Sequence, residues 1–186
     1  IPCRHLVLAI GHSARDTYRM LADQRLLMEP KPFAIGLRVE HSQDLIDRIQ
    51  YGKPHPALPR ADYALTYNNE VTNRSCYSFC MCPGGVIIGS SSEPEMLVVN
   101  GMSNLRRHSG FANSALVTNV RPDDFEGNDP LAGVRFQQRW ERMAFEAGGS
   151  NYHAPGQNLL GFIGKGSGGY HSSYRPGVVA VDLASI

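Results

Sequence analysis

The sequence predicts an α+β fold: a mainly antiparallel sheet or barrel-like body packed by one long helix, with a βα fragment at its start. Three observations carry this. Short runs alternating apolar and polar residues follow one another from Tyr63 to Val120 with no long helix between them, the pattern of antiparallel pairing. Asp129-Pro130 and Gly148-Gly149 bracket a helical pattern over Leu131 to Ala147. The segment Arg4 to Ile10 holds the continuous apolar run Leu-Val-Leu-Ala-Ile, as in a strand buried on both faces, and Gly11-His12-Ser13 follows at once.

Ser13 is placed to cap a helix, with Asp16 as the capping-box acid and Tyr18, Leu21 and Ala22 recurring on one face. A strand, glycine turn and capped helix form a unit whose helix start attracts anions, although an ordinary βα corner has the same residues. Phe33 to Glu40 reads as a strand with Arg38 and Glu40 on one face and Ile35, Leu37 and Val39 on the other. Ser42 caps a short helix in which Leu45, Ile46 and Ile49 are expected to pack while Asp47 and Arg48 face water. Gly52 to Arg60, with Pro54, Pro56 and Pro59, reads as loop. Tyr63 to Tyr67 and Met96 to Val99 read as strands, and Asn100-Gly101 as a turn. Ala112 to Val120 is a strand carrying Asn113, whose amide needs a partner if buried. On the long helix, Phe136, Trp140, Met143 and Ala147 mark the core face. Ala154 to Ile163 reads as a further helix, Gly164 to Gly169 as a flexible link and Val178 to Leu183 as a strand.

The length, 186 residues, is enough for one domain with a real core. The formal charge of +1 removes any strong case for nucleic acid or an anionic membrane as partner. With no apolar run of membrane-spanning length and no signal-peptide pattern at the start, a reducing, cytoplasmic setting is the expectation for its four cysteines. The missing neighbours of the first apolar run, and the absence of a Gly-x-Gly-x-x-Gly fingerprint, lead to the expectation that the chain is a piece of a larger protein.

Three of the cysteines lie in or beside Tyr77 to Gly85. On a regular strand Cys76, Ser78, Cys80 and Cys82 share one face and Tyr77, Phe79 and Met81 the other, and Pro83-Gly84 then turns the chain into a second strand, Val86 to Ser90, as a hairpin. A metal site needs converging sulfurs, whereas Cys76 and Cys82 stand roughly 20 Å apart on such a strand. A Cys80 to Cys82 disulfide would be strained and easily reduced, which suits a redox switch better than a staple. Buried free thiols that merely pack are the third reading. Arg106 and Arg107 are adjacent cations able to take a carboxylate or phosphate, or simply to face solvent.

Six motifs in a fixed order, Ala9-Ile-Gly-His-Ser-Ala-Arg-Asp16, Lys31-Pro-Phe-Ala-Ile-Gly36, Phe79-Cys-Met-Cys-Pro-Gly-Gly85, Asn100-Gly-Met-Ser103, Ala112-Asn-Ser-Ala-Leu116 and Phe136-Gln-x-Arg-Trp-Glu141, resemble a family of bacterial FAD-dependent dehydrogenases. The resemblance covers most of the chain. It implies a flavoprotein with a Rossmann-type FAD domain interrupted by an insertion, residues 1–27 being a βα fragment of that domain, 28–163 the inserted substrate or cap domain, and 164–186 a link and strand returning toward it. It implies FAD in the longer protein, not retained by this segment alone, which is then inactive by itself. The implied partners are a small-molecule substrate and the rest of the FAD domain, with NAD(P)H left open. Residues Ala9, Gly11, His12 and Ser13 would skirt the FAD, and the backbone of Gly84 and Gly85 would offer it donors. Arg106, Arg107 and Asn113 are the candidate substrate contacts. His41, Cys80 and Cys82 are the candidate catalytic groups, and no metal site is assigned. The alternatives are a thiol-redox or metal-binding module built on Cys80 and Cys82, and a structural or dimerisation domain.

Overall fold

The structure, a computed structural model, describes residues 2–53, 55–166 and 168–186; Pro54 of the expected loop and Ser167 of the expected link lie outside the described residues. In chain order it forms α1 (Arg15–Asp23), β1 (Phe33–Ser42), α2 (Gln43–Tyr51), β2 (Thr66–Asn69), β3 (Arg74–Cys82), β4 (Gly85–Gly89), β5 (Val99–Ser103), β6 (Phe111–Val120), α3 (Ala132–Ala147), β7 (Ala154–Gly156), α4 (Leu159–Phe162) and β8 (Val178–Ala180). The fold is α+β. Four antiparallel strands make the main sheet in the order β1-β6-β3-β2, and β4 and β5 form a separate antiparallel ribbon; among the described residues no sheet closes into a barrel. A short parallel pair, β7 and β8, completes the described strands.

β1 and β6 pair along their whole lengths, so opposed residues share a face. At one end of one face, Phe33, Ile35 and Val120 meet Phe125, Ala132 and Phe136. At the other end Ala112 meets Ile46, Ala61, Tyr63 and Met81. A third cluster, Ile87, Leu97, Phe145 and Tyr174, joins the ribbon and α3 to the C-terminal segment. Each large apolar side chain so buried contributes about 1.5–3 kcal/mol.

Several expectations are corrected. Residues 6–10 pair with no strand among the described residues, and Leu6, Val7, Leu8 and Ile10 are exposed. Ser13 does not cap α1; Ala14 stands at that position, with no side-chain bond. On α2 the buried residues are Gln43, Ile46 and Asp47, whereas Leu45 and Ile49 face outward. The reason is polar: Asp47 accepts from Gln43 Nε2, the Ala61 N–H and Arg60 Nη1, at 2.8, 2.8 and 2.7 Å. Trp140 is exposed and Phe145 is buried in its stead on α3. Ala154 to Ile163 divides into β7 and the single turn α4.

The largest departure concerns the thiol strand. β3 does not fold back on β4; it stays in the main sheet while β4 leaves to pair with β5. Asn100-Gly101, expected as a turn, runs through β5 opposite Ile88 and Ile87. Within β3 the register slips by one residue between Phe79, opposite Ala115, and Cys82, opposite Asn113. Cys80 takes a left-handed backbone there, at φ 47°. This β-bulge puts Cys82 on the side of Phe79 and Asn113 and gives Met81 to the apolar cluster opposite.

Candidate functional site

Register brings a polar cluster together on the face of the sheet covered by the ribbon. Glu40 stands opposite Asn113 and Arg38 opposite Ala115, so Arg38, Glu40, Asn113 and, through the bulge, Cys82 share that face. Arg38 Nη1 donates to Asn113 Oδ1 (2.7 Å) and Nη2 to Asn100 Oδ1 (3.1 Å). Asn113 is fully buried. Gly101 of β5 closes over the group: a Cβ there would collide with Asn113 Oδ1, Arg38 Nη1 and Cys82 Sγ. That close approach, not a turn, is what requires glycine. Burial pulls the Arg38 guanidinium below its ordinary value, opposed by the nearby Cys82 and Cys80 sulfurs. Glu40 is turned to the C-terminal segment, accepting from the Ser173 N–H (2.9 Å) and its hydroxyl.

His41 lies one position further along β1, on the opposite face. Its Nε2 is 2.8 Å from the Tyr63 hydroxyl, the rings meet edge to face at 5.5 Å, and Nδ1 has no partner. Burial lowers its pKa from the ordinary 6.5. The unfolded ring takes a proton more readily, so this group favours the folded state above about pH 6.5 and opposes it as pH falls further. An NMR titration is expected to give a His41 midpoint below 6.5; a midpoint at or above that value would refute the burial argument.

The remaining predicted residues divide into three places. Cys80 is exposed, Cys82 is half-buried with its sulfur 3.3 Å from the Cys80 carbonyl oxygen, and all four cysteines are free. Among the described residues no three His, Cys, Asp or Glu side chains converge as metal ligands. Gly84 and Gly85 are buried, and the Gly84 N–H already donates to Gln43 Oε1 (2.6 Å). Gly84 shapes the turn against the Arg107 backbone and presents no free donor, while Gly85 lies against Met102, Ser103 and Cys82. Arg106 and Arg107 are exposed in the loop between β5 and β6, with no ion pair among the described residues.

Ala9, Gly11, His12 and Ser13 form an exposed approach to α1, with Gly11 left-handed at φ 74° and its carbonyl accepting from the Tyr18 hydroxyl (2.5 Å). No hydrogen bond among the described residues joins them to the Arg38 cluster. They are fixed from the helix side by Arg15, which is 3 % exposed and donates to Glu93 (2.6 Å), to both Glu141 oxygens (2.6 and 2.9 Å) and to Gln137 (3.2 Å). Sequence reasoning missed Arg15, Arg38 and Gln43. Arg38 had a visible signal: a cation on the polar face of a strand with one face packed.

The family described as FAD-dependent protein, C-terminal domain-like matches residues 32–186. The chain belongs to this family. A relative from Clostridium beijerinckii (strain ATCC 51743 / NCIMB 8052), named as an uncharacterized protein, is 55% identical over 165 residues. The matched segment is 88% of this chain and 31% of that protein, so the chain spans about a third of the relative's length. The FAD-dependent family thus accounts for β1 onward, and the exposed approach to α1 precedes the matched region. No described helix is long and apolar enough to cross a membrane.

Proposed function

We propose that this chain is the substrate-covering part of a longer FAD-dependent oxidoreductase, a dehydrogenase whose flavin is carried mainly by a Rossmann-type body outside residues 28–163. The observation that carries the reading is the apolar run before α1: Leu6, Val7 and Leu8 are 74, 87 and 51 % exposed and unpaired, yet their sequence is that of a doubly buried strand. Such a run fits as one strand of a sheet supplied by the FAD-binding body. The residues at its end also fit the cofactor. Gly11 is left-handed, with nothing within 4 Å of a hypothetical Cβ, so its backbone is open to close approach by a bulky group.

In this reading Ala9, Gly11, His12 and Ser13 border the FAD, which supplies hydride acceptance when bound. The main sheet and its ribbon exclude water from the reacting face. Arg106 and Arg107 draw an anionic substrate toward the exposed loop. Thiol chemistry is the second reading, favoured by the free Cys80 and Cys82 beside Arg38.

The test is the flavin content of the longer protein, read from its visible spectrum against protein concentration. Val7→Glu is expected to lower retained FAD at least tenfold, while the same change leaves the urea midpoint of the 186-residue chain in place because Val7 packs on little here. Full FAD retention by Val7→Glu would refute the docking role. A longer wild-type protein that never takes up flavin would refute the flavoprotein assignment itself.

A further inference from the structure

The Arg38 cluster has an unfilled hydrogen-bond requirement. Arg38 Nε and Asn113 Nδ2 are both buried donors with no acceptor among the described residues. Asn113 is 0 % exposed, so its amide is not satisfied by bulk water, and leaving such a donor unpaired costs about 1–3 kcal/mol. The charge is equally unmatched. Arg38 forms no ion pair among the described residues, in contrast with Arg15, Arg60 and Arg74, each of which holds a carboxylate. Glu40, the acid on the same face, has its oxygens engaged by Ser173. A half-buried guanidinium with two amide oxygens as its partners and the Cys82 sulfur, but no carboxylate, beside it is a costly arrangement unless an anion completes it. The head is not sealed: its Nη2 end meets Asn100, which is exposed.

We infer that Arg38 and Asn113, framed by Asn100, Gly101 and Cys82, form a binding site for one carboxylate group, the anionic handle of the substrate; only the word substrate rests on the oxidoreductase reading. A carboxylate matches the donors in charge. One guanidinium offers a single positive charge, and the unpartnered nitrogens Arg38 Nε and Asn113 Nδ2 suit a planar pair of oxygens. A phosphate dianion would bring twice the charge, with Glu40 on the same face and Gly101 already pressed against the cluster. The site also gives Asn113 a role distinct from Arg106 and Arg107, which stand in the exposed loop.

The experiment follows the Arg38 Nε–H resonance of the protein by NMR during titration with sodium acetate at constant ionic strength, with sodium chloride and inorganic phosphate as separate arms. Acetate is expected to shift the resonance saturably, with an apparent Kd on the order of 1–10 mM. Asn113→Asp, which installs an internal carboxylate beside Arg38, is expected to weaken acetate binding at least tenfold. Arg48→Gln, on the exposed side of α2, is expected to leave it unchanged. A linear drift identical for chloride and acetate would mean that water fills the site and would overturn the inference. Tighter binding of phosphate than acetate would overturn the carboxylate assignment. The wild-type titration stands even if the Asp variant fails to fold, and no arm depends on flavin, so its failure is separable from failure of the FAD reading.

Discussion

Gly84→Ala is expected to destabilise the fold by about 3–4 kcal/mol, read as a lowered urea midpoint with unchanged slope. Two costs combine. Gly84 sits at φ 56°, where an L side chain costs about 1–2 kcal/mol. A Cβ would also collide with the carbonyl, Cα and carbonyl carbon of Arg107, all backbone, so relief requires moving the loop that leads into β6. Displacing this turn further strains the bond from its N–H to Gln43, whose Nε2 in turn serves Asp47 and the Ala61 carbonyl. Gly11→Ala is the matched control. Its φ is 74° but nothing lies within 4 Å of the added atom, so only the backbone cost of about 1–2 kcal/mol is expected. Equal losses for the two variants would show that the close approach at Arg107 carries no energy.

Arg15→Met is expected to cost about 3–5 kcal/mol, because it strands two partly buried carboxylates that share one guanidinium. The cost has a pH signature. Burial pushes the Glu93 carboxyl up, but hydrogen bonds from Gln138, Arg15 and Arg19 outweigh it and hold the pKa at about 2, against an ordinary 4.5. A carboxylate depressed in the folded state stabilises above its unfolded pKa, and that stability is lost as pH falls from about 4.5 toward 2. In Arg15→Met this acid limb should shrink, with Arg19 and Gln138 retaining part of it. An unchanged acid limb would refute the assignment. Since Arg15 ties α1 to Glu141 on α3, the same variant should loosen the approach at Gly11 to Ser13.

The elements read well from sequence where local chemistry decides them. β1 and β6 form, ten residues each, over the segments that read as strands, and α3 begins and ends close to its proline and glycine signals. Misreadings fall where tertiary contacts decide. Gly101 carries a turn-like sequence, but its glycine answers to Arg38, Asn113 and Cys82, residues distant in the chain. The helical periodicity of α2 pointed Leu45 and Ile49 inward because nothing local reveals that Asp47 will find Arg60 and the Ala61 N–H. Of the candidate site, Asn113 and Cys82 were legible as chemistry, and the structure brings them together. Arg38 lay on the predicted polar face without a visible partner, since pairing across β6 is a matter of register between strands about 75 positions apart.

The slipped residue at Cys80 makes the sheet's two sides depend on chain length at one point. Pulled straight with Cys80 kept in line, β3 would turn all that follows by half a repeat, carrying the Cys82 sulfur into the oily patch beside Ala112 and swinging the Met81 thioether under Gly101. The guanidinium of Arg38 would then face a bulkier, uncharged neighbour; loss of Cys80, by contrast, would leave Phe79, Met81 and Cys82 opposite Ala115, Ser114 and Asn113, each on the side it now holds.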